Sequence, residues 1–279
     1  MYEITAKSVE NFRLHLYNEE KSSATVEKYL RDVLTFKKWL GRNPVTKECV
    51  IEYKNRITEE YSPRSVNSML SSLNCFFNFL GWIECRVKTL KIQRQIFANK
   101  EKELTKKEYE KLLSAALENG SRKIYLLMQT ICSTGIRVSE LKYITVGAVK
   151  SRQAIINCKG KIRVVILPHQ LCKMLVKYIR EENLKKGCVF VTKNGNPLDR
   201  SNIWKMLKSL CESAGVSKKK VFPHNFRHLF ARTFYSLQKD IVRLADILGH
   251  ASINTTRIYT IESGTEHRKQ IQMLGLLQC

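Results

Sequence analysis

The sequence predicts a mainly helical α+β protein, with an all-α N-terminal domain followed by a mixed α/β domain that carries a small β-hairpin sheet. Three observations predict it. Apolar residues recur at helical spacing through the first 81 residues, and no alternating run interrupts them. A pair of short β-branched runs stands later, on either side of Lys159-Gly160, which is a hairpin signal. At 279 residues and 43% hydrophobic content, the chain can bury two cores.

In chain order, TAKSVENFRLHLYNEE places Val9, Phe12, Leu14 and Leu16 roughly on one helical face. SSATVEKYLRDVLTFKKWLG opens on a Ser/Thr cap, repeats apolar residues at Val26, Tyr29, Leu30, Val33, Leu34, Phe36 and Leu40, and stops at Gly41. A third helix fits 46–59. A fourth fits 62–81, with Pro63 in its first turn and Gly81 at its end. Residues 1–81 are therefore the helical domain. Residues 82–103 are aperiodic and mostly basic, and read as a linker; with no Gly/Ser tract, this stretch is expected to lie along a partner. The second domain spans 104–279. TKKEYEKLLSAALENG is a capped amphipathic helix, a second helix covers about 121–133, and another opens after Thr134-Gly135. After the hairpin in QAIINCKGKIRVVILP, helices are expected near 168–182, 200–214 and 224–237. A last one, DIVRLADILG, ends at Gly249.

Composition narrows the function classes. The most apolar stretch, YLLMQTIC, is far too short to cross a bilayer, and the N-terminus lacks an apolar signal segment, so a cytoplasmic protein with no membrane partner is expected. Nine cysteines, none spaced as C-x-x-C, argue for reduced thiols rather than a disulfide framework or a zinc site. Residues 1–100 hold 17 basic and 11 acidic side chains, a net of +6; residues 101–279 hold 32 and 14, a net of +18. A field of that size attracts a polyanion.

Five segments of the second domain form a chemical set. Arg137 lies in STGIRVSEL, Lys159 in CKGKIRVV, His224 and Arg227 in PHNFRH, His250 in DILGH and Tyr259 in NTTRIYT. His224 and Arg227 are three apart on a helix and share a face. Two guanidinium groups can hold the non-bridging oxygens of a phosphodiester by paired donors. A histidine adds a donor or moves a proton, and a hairpin lysine can reach a leaving oxygen. A phenol, with a free pKa of roughly 10, needs such cations beside it to act as a nucleophile. With no acidic cluster to hold a metal, transition-state charge falls to side chains. Each segment alone has an ordinary reading as a solvated helix face, a turn lysine or a plain tyrosine. His228, beside Arg227, reads as a packing residue. What singles them out is their occurrence together and in order.

At these residues the sequence resembles the tyrosine recombinase/integrase family, and among its members the Xer-like two-domain enzymes of phage-integrase type. STGIRVSEL is similar to the family's first-arginine motif, with Glu140 as its acid. PHNFRHLFA is similar to its histidine–x–x–arginine box, and LGHASINTTRIYT to its closing segment. The pattern from Thr25 to Leu40 is similar to a helix of the family's SAM-like core-binding domain, so the resemblance runs from about residue 5 to the end. It implies that Tyr259 attacks the phosphorus to give a 3′-phosphotyrosine, that Arg137 and Arg227 neutralise the phosphate, that His224 hydrogen-bonds it and shuttles a proton, and that His250 hydrogen-bonds the same phosphate. It also implies that Lys159 protonates the leaving 5′-oxygen. The hairpin is one residue shorter than the family's, and Lys161 is the alternative acid. Neither cofactor, metal nor ATP is implied. Lys28, Arg31 and Arg64 on the helical domain, and Lys161 and Arg163 on the hairpin, are the expected DNA contacts. The implied partners are a double-stranded recombination site and three further copies in a tetramer that passes through a Holliday junction. The biological task (integration or excision, inversion, or dimer resolution) stays open, as does the need for an accessory DNA-bending protein or a partner recombinase. The competing readings are a type IB topoisomerase and a DNA-binding regulator without catalysis.

Overall fold

The structure, a computed structural model, describes residues 2–92, 100–158, 161–259 and 272–273, without the side chains of Lys100, Cys158 and Lys161. Lys159 and the C-terminal residues 274–279 lie outside the described residues. The chain divides into two compact units, Met1–Arg94 and Gln95–Cys279.

The first unit holds α1 (Ala6–Asn18), α2 (Ser23–Leu40), α3 (Lys47–Glu60) and α4 (Pro63–Phe79). Reciprocal capping boxes at Thr5 and Thr46 start α1 and α3, satisfying backbone donors that a helix leaves free. Phe12, Leu16, Val33, Phe36, Leu73, Phe76 and Phe77 are fully buried between the helices. Leu14, expected on the buried face, is instead 56% exposed. Two residues along a helix turn a side chain by about 200°, so Leu14 points away from Phe12 and Leu16.

A polar tie crosses this core. Lys28 Nζ donates to Asp32 Oδ2 at 2.6 Å, to the Ser68 carbonyl at 2.8 Å and to Ser72 Oγ at 2.9 Å. Ser72 Oγ donates to the same Asp32 oxygen at 2.8 Å. Lys28, expected as a DNA contact, is thus turned inward to link α2 to α4, whereas Arg31 and Arg64 stand exposed. Beyond α4, two asparagines of that helix clip the chain by both backbone groups of a residue. Asn74 pairs with Val87 at 2.8 and 3.0 Å, and Asn67 pairs with Leu90 at 2.9 and 2.7 Å. The early part of the basic stretch read as a linker therefore lies along α4.

The second unit begins with α5 (Lys106–Glu118), capped by Thr105 and Glu108, and α6 (Arg122–Thr134). The helix expected after Thr134-Gly135 is a six-residue 3-10 turn, Val138–Tyr143, followed by the short α7 (Val146–Ser151). Antiparallel β1 (Gln153–Cys158) and β2 (Lys161–Ile166) pair with Cys158 opposite Lys161. Then come α8 (His169–Glu181), α9 (Arg200–Ser209), α10 (Pro223–Gln238), α11 (Ile241–Leu248) and α12 (Ile253–Thr256), which runs into a 3-10 turn at Arg257–Tyr259. The mainly helical α+β class with a two-stranded sheet is as expected. One hairpin face, Ala154, Ile156 and Val165, enters the core. The other face exposes Ile155, Ile162, Val164 and Ile166 by 53–75%. Among the described residues no helix is long and apolar enough to cross a membrane.

Replacing Asp32 with alanine strips Lys28 and Ser72 of their shared acceptor. It should destabilise the helical unit by about 1–3 kcal/mol, read as a lower urea midpoint; an unchanged midpoint would mean that the tie contributes nothing.

Candidate active site

Four described segments of the second unit deliver the expected residues to one place. Arg137 caps the 3-10 turn that follows α6. His224 and Arg227 lie in the first turns of α10. His250 follows Gly249, where α11 ends in a left-handed residue with φ +61°. Tyr259 closes the turn after α12. Lys159 falls outside the described residues, and of Lys161 only the backbone is described.

Arg227 is the centre. It is 2% exposed, and its guanidinium spans two segments: Nη1 donates to the Gly135 carbonyl at 2.5 Å, and Nη2 to the Leu248 carbonyl at 2.7 Å. Nη2 also lies 3.1 Å from His250 Nε2. Its Nε–H is buried with no partner. Gly135 can take no larger residue here. Its φ is +64°, and an added Cβ would stand 2.5 Å from Phe230 Cδ1.

Glu140, buried in the same wall, manages the positive charge. Its Oε1 accepts from Arg137 Nη1 at 2.9 Å, and its Oε2 from the Arg137 backbone N–H at 2.9 Å and Arg163 Nη2 at 2.6 Å. Arg163 Nη1 goes on to the Ile247 carbonyl at 2.7 Å, and Arg137 Nη2 to the Gly249 carbonyl at 3.1 Å. Arg163, expected at a DNA phosphate, is thus engaged at both ends of its guanidinium. An added Cβ at Gly249 would lie 2.5 Å from Arg163 Cδ, so the glycine makes room for it. Burial pushes the Glu140 pKa up, but the Arg137 backbone N–H and the two guanidinium groups outweigh it and hold the carboxyl below its ordinary range.

The histidine pKa values are pushed down. Burial, then Arg227, Arg137, Arg163 and His224, push the His250 pKa to about 4. His250 Nδ1 pairs with Thr256 Oγ1 at 2.8 Å, which fixes the ring from α12. Thr256 was not singled out from the sequence, and no local signal marks it. Desolvation, then Arg227, Arg137 and Arg200, lower the pKa of His224. Tyr259 is only 6% exposed and packs on Ala231, Leu244 and Leu248. Burial raises its phenol pKa against the opposing pull of Arg227, Arg137 and Arg232. Arginine donors, imidazoles and a phenol in one cluster can bind an oxyanion and present an oxygen nucleophile to it.

Comparison with known proteins shows the family and the fold. The phage integrase family matches residues 102–265, and the family's N-terminal SAM-like domain matches residues 9–83. Tyrosine recombinase XerA of Pyrococcus furiosus is 28% identical over 289 aligned positions, covering 100% of this chain and 98% of the relative. Tyrosine recombinase XerH of Campylobacter jejuni is 37% identical over 165 positions, covering 57% of this chain and 47% of the relative. Among solved structures, XerH bound to a palindromic difH substrate in a post-cleavage complex superposes with a TM-score of 0.73. The two are 20% identical over 98% of this chain and 85% of that one, a likeness of fold.

Glu140→Gln should lower stability at neutral pH by about 1–3 kcal/mol, since a neutral amide replaces a carboxylate held by two arginines. A carboxyl whose folded pKa is depressed stabilises above its unfolded pKa, and that contribution is lost as pH falls through the folded value. The gap between parent and variant in urea midpoint should therefore close as pH drops below the ordinary carboxylate range. A gap that is constant from pH 7 to 3 would contradict the assignment.

Proposed function

The chain belongs to the phage integrase family, and from that premise we infer that it is a tyrosine site-specific recombinase, an enzyme that breaks and rejoins DNA strands through a covalent link to Tyr259. The observation that carries this is the gathering of Arg137, His224, Arg227 and His250 near the Tyr259 phenol, with Arg227 holding a buried Nε–H that has no acceptor among the described residues. A phosphate oxygen supplies such an acceptor.

In the proposed reaction the two arginines neutralise the scissile phosphate, and His224 and His250 hydrogen-bond it. The Tyr259 oxygen attacks phosphorus as the bond to the 5′-oxygen breaks, giving a 3′-phosphotyrosine and a 5′-hydroxyl, and His224 takes up the proton that the phenol gives up. Lys159, or Lys161 in its place, gives the leaving oxygen its proton. The ester conserves the energy of the broken bond, so attack by another 5′-hydroxyl reseals the strand and no ATP is consumed. We propose that the side chain of Tyr259, a residue only 6% exposed, turns toward the phosphate when DNA binds. Exposed Arg31 and Arg64 support contacts from the helical unit.

Strand exchange is proposed to use four copies on two sites. An exposed apolar groove lined by Tyr109, Leu229, Phe230, Phe234 and Leu237 supports self-association. The described cysteines are all unpaired, which supports a cytoplasmic location.

The test is covalent trapping. The protein is mixed with duplex fragments from its own genomic neighbourhood, each carrying a nick or a 5′-bridging phosphorothiolate, and denatured to reveal adducts. One fragment should give an adduct, and Tyr259→Phe should abolish it while leaving DNA affinity nearly intact. Adducts on every fragment would indicate a topoisomerase, and an adduct with the Phe variant would indicate another nucleophile. Affinity should fall by about 10³-fold or more between 50 and 200 mM salt; a flat response would mean that the basic charge of the second unit does not face DNA.

A further inference from the structure

His228 sits inside the site with no part in the reaction just described. It follows Arg227 on α10 and stands one turn beyond His224, so both rings are carried to the same side of the helix. There it fills the space between His224 and the nucleophile. Its ring centroid is 4.2 Å from that of His224, at 61°, and 5.1 Å from that of Tyr259, at 86°. The second contact is edge-to-face, at a separation where aromatic rings attract. The His250 ring lies farther from Tyr259, at 6.4 Å and nearly parallel.

Two properties make this more than a spacer. Burial, then His224, Arg232, Arg227 and His250, push the His228 pKa to about 3, so the ring is neutral and adds no charge to a centre already crowded with arginines. Its Nε2 is buried and has no hydrogen-bond partner. A phenyl ring would line the same wall without stranding a nitrogen, and a stranded polar atom carries a desolvation penalty. The nitrogen kept at that penalty belongs to a ring in edge-to-face contact with the Tyr259 phenol.

We propose that His228 is a positioning residue for Tyr259: its ring sets the phenol, and its Nε2 accepts the phenol's O–H hydrogen bond as that side chain turns to the scissile phosphate. The nitrogen stranded in the free chain then finds its partner in the DNA complex. A protonated ring would have no lone pair to offer. The inference rests on the recombinase reading and deepens it by saying what aims the nucleophile.

The test compares single-turnover cleavage of the trapped fragment by the parent, His228→Phe and His228→Gln, with DNA affinity and thermal unfolding measured alongside. His228→Phe keeps a ring and loses the acceptor. It should bind DNA as the parent does, unfold no earlier, and cleave about 10- to 100-fold more slowly, the scale expected when a reacting group is misaimed. His228→Gln places an amide oxygen near the former Nε2 and should recover most of that loss. Parental cleavage by the Phe variant, or a Gln variant no faster than Phe, would overturn the inference while leaving the recombinase reading intact. A parent chain that forms no adduct on any fragment would sink that reading and this inference with it.

Discussion

The carbonyl groups at the C-terminal end of α11, on Ile247, Leu248 and Gly249, accept from three different guanidinium groups: Arg163, Arg227 and Arg137. A helix leaves its last carbonyls without intrahelical partners, and they carry the negative end of its dipole. Here that end is a docking point for cations that would otherwise repel one another. The three arginines come from β2, from α10 and from the turn after α6, so one helix terminus gathers three distant parts of the chain. Glu140 completes the arrangement by taking Arg137 and Arg163 on its two oxygens. His250 and Tyr259 then follow the same helix end within ten residues, and their placement is inherited from it.

The charge of the site is divided by residue type. Burial lowers the Arg227 pKa to about 10, which still leaves its guanidinium charged at neutral pH. The imidazoles of His228 and His250, with pKa values near 3 and 4, are free to act as neutral hydrogen-bond partners. In the proposed reaction a phosphate entering this centre displaces no proton from the His228 and His250 imidazoles. That fits chemistry in which attacking and leaving oxygens exchange roles between cutting and joining.

Much of this was legible in the chain. Helical spacing located α2, α4, α5, α10 and α11 to within a few residues, because each buries one face against a neighbour and ends at a marked stop such as Gly41 or Gly249. The motifs around Arg137, Arg227 and His250 were legible because each is a short local segment. The illegible residues have partners far away in sequence. Lys28 read as an exposed cation because Ser68 and Ser72 are forty or more positions on. Arg163 read as a phosphate contact because Glu140 and Ile247 meet it only through the fold. Thr256 and His228 have ordinary sequence surroundings, and only the placement of the rings beside them shows what they touch. The segment expected as a helix is a 3-10 turn, Val138–Tyr143, whose start is capped by Arg137 and Glu140.

The outer face of the hairpin carries a colloidal consequence. Ile155, Ile162, Val164 and Ile166 form an apolar strip on a two-stranded ribbon, the kind of surface that associates with its own copy. What keeps two such molecules apart in dilute buffer is mutual repulsion between chains of net charge +24. Screening removes that repulsion, so added salt acts twice on this protein: it loosens the grip on nucleic acid and lets the ribbons of separate molecules approach. A solution of the free chain is therefore most dispersed at low ionic strength, the condition in which its hold on DNA is also strongest.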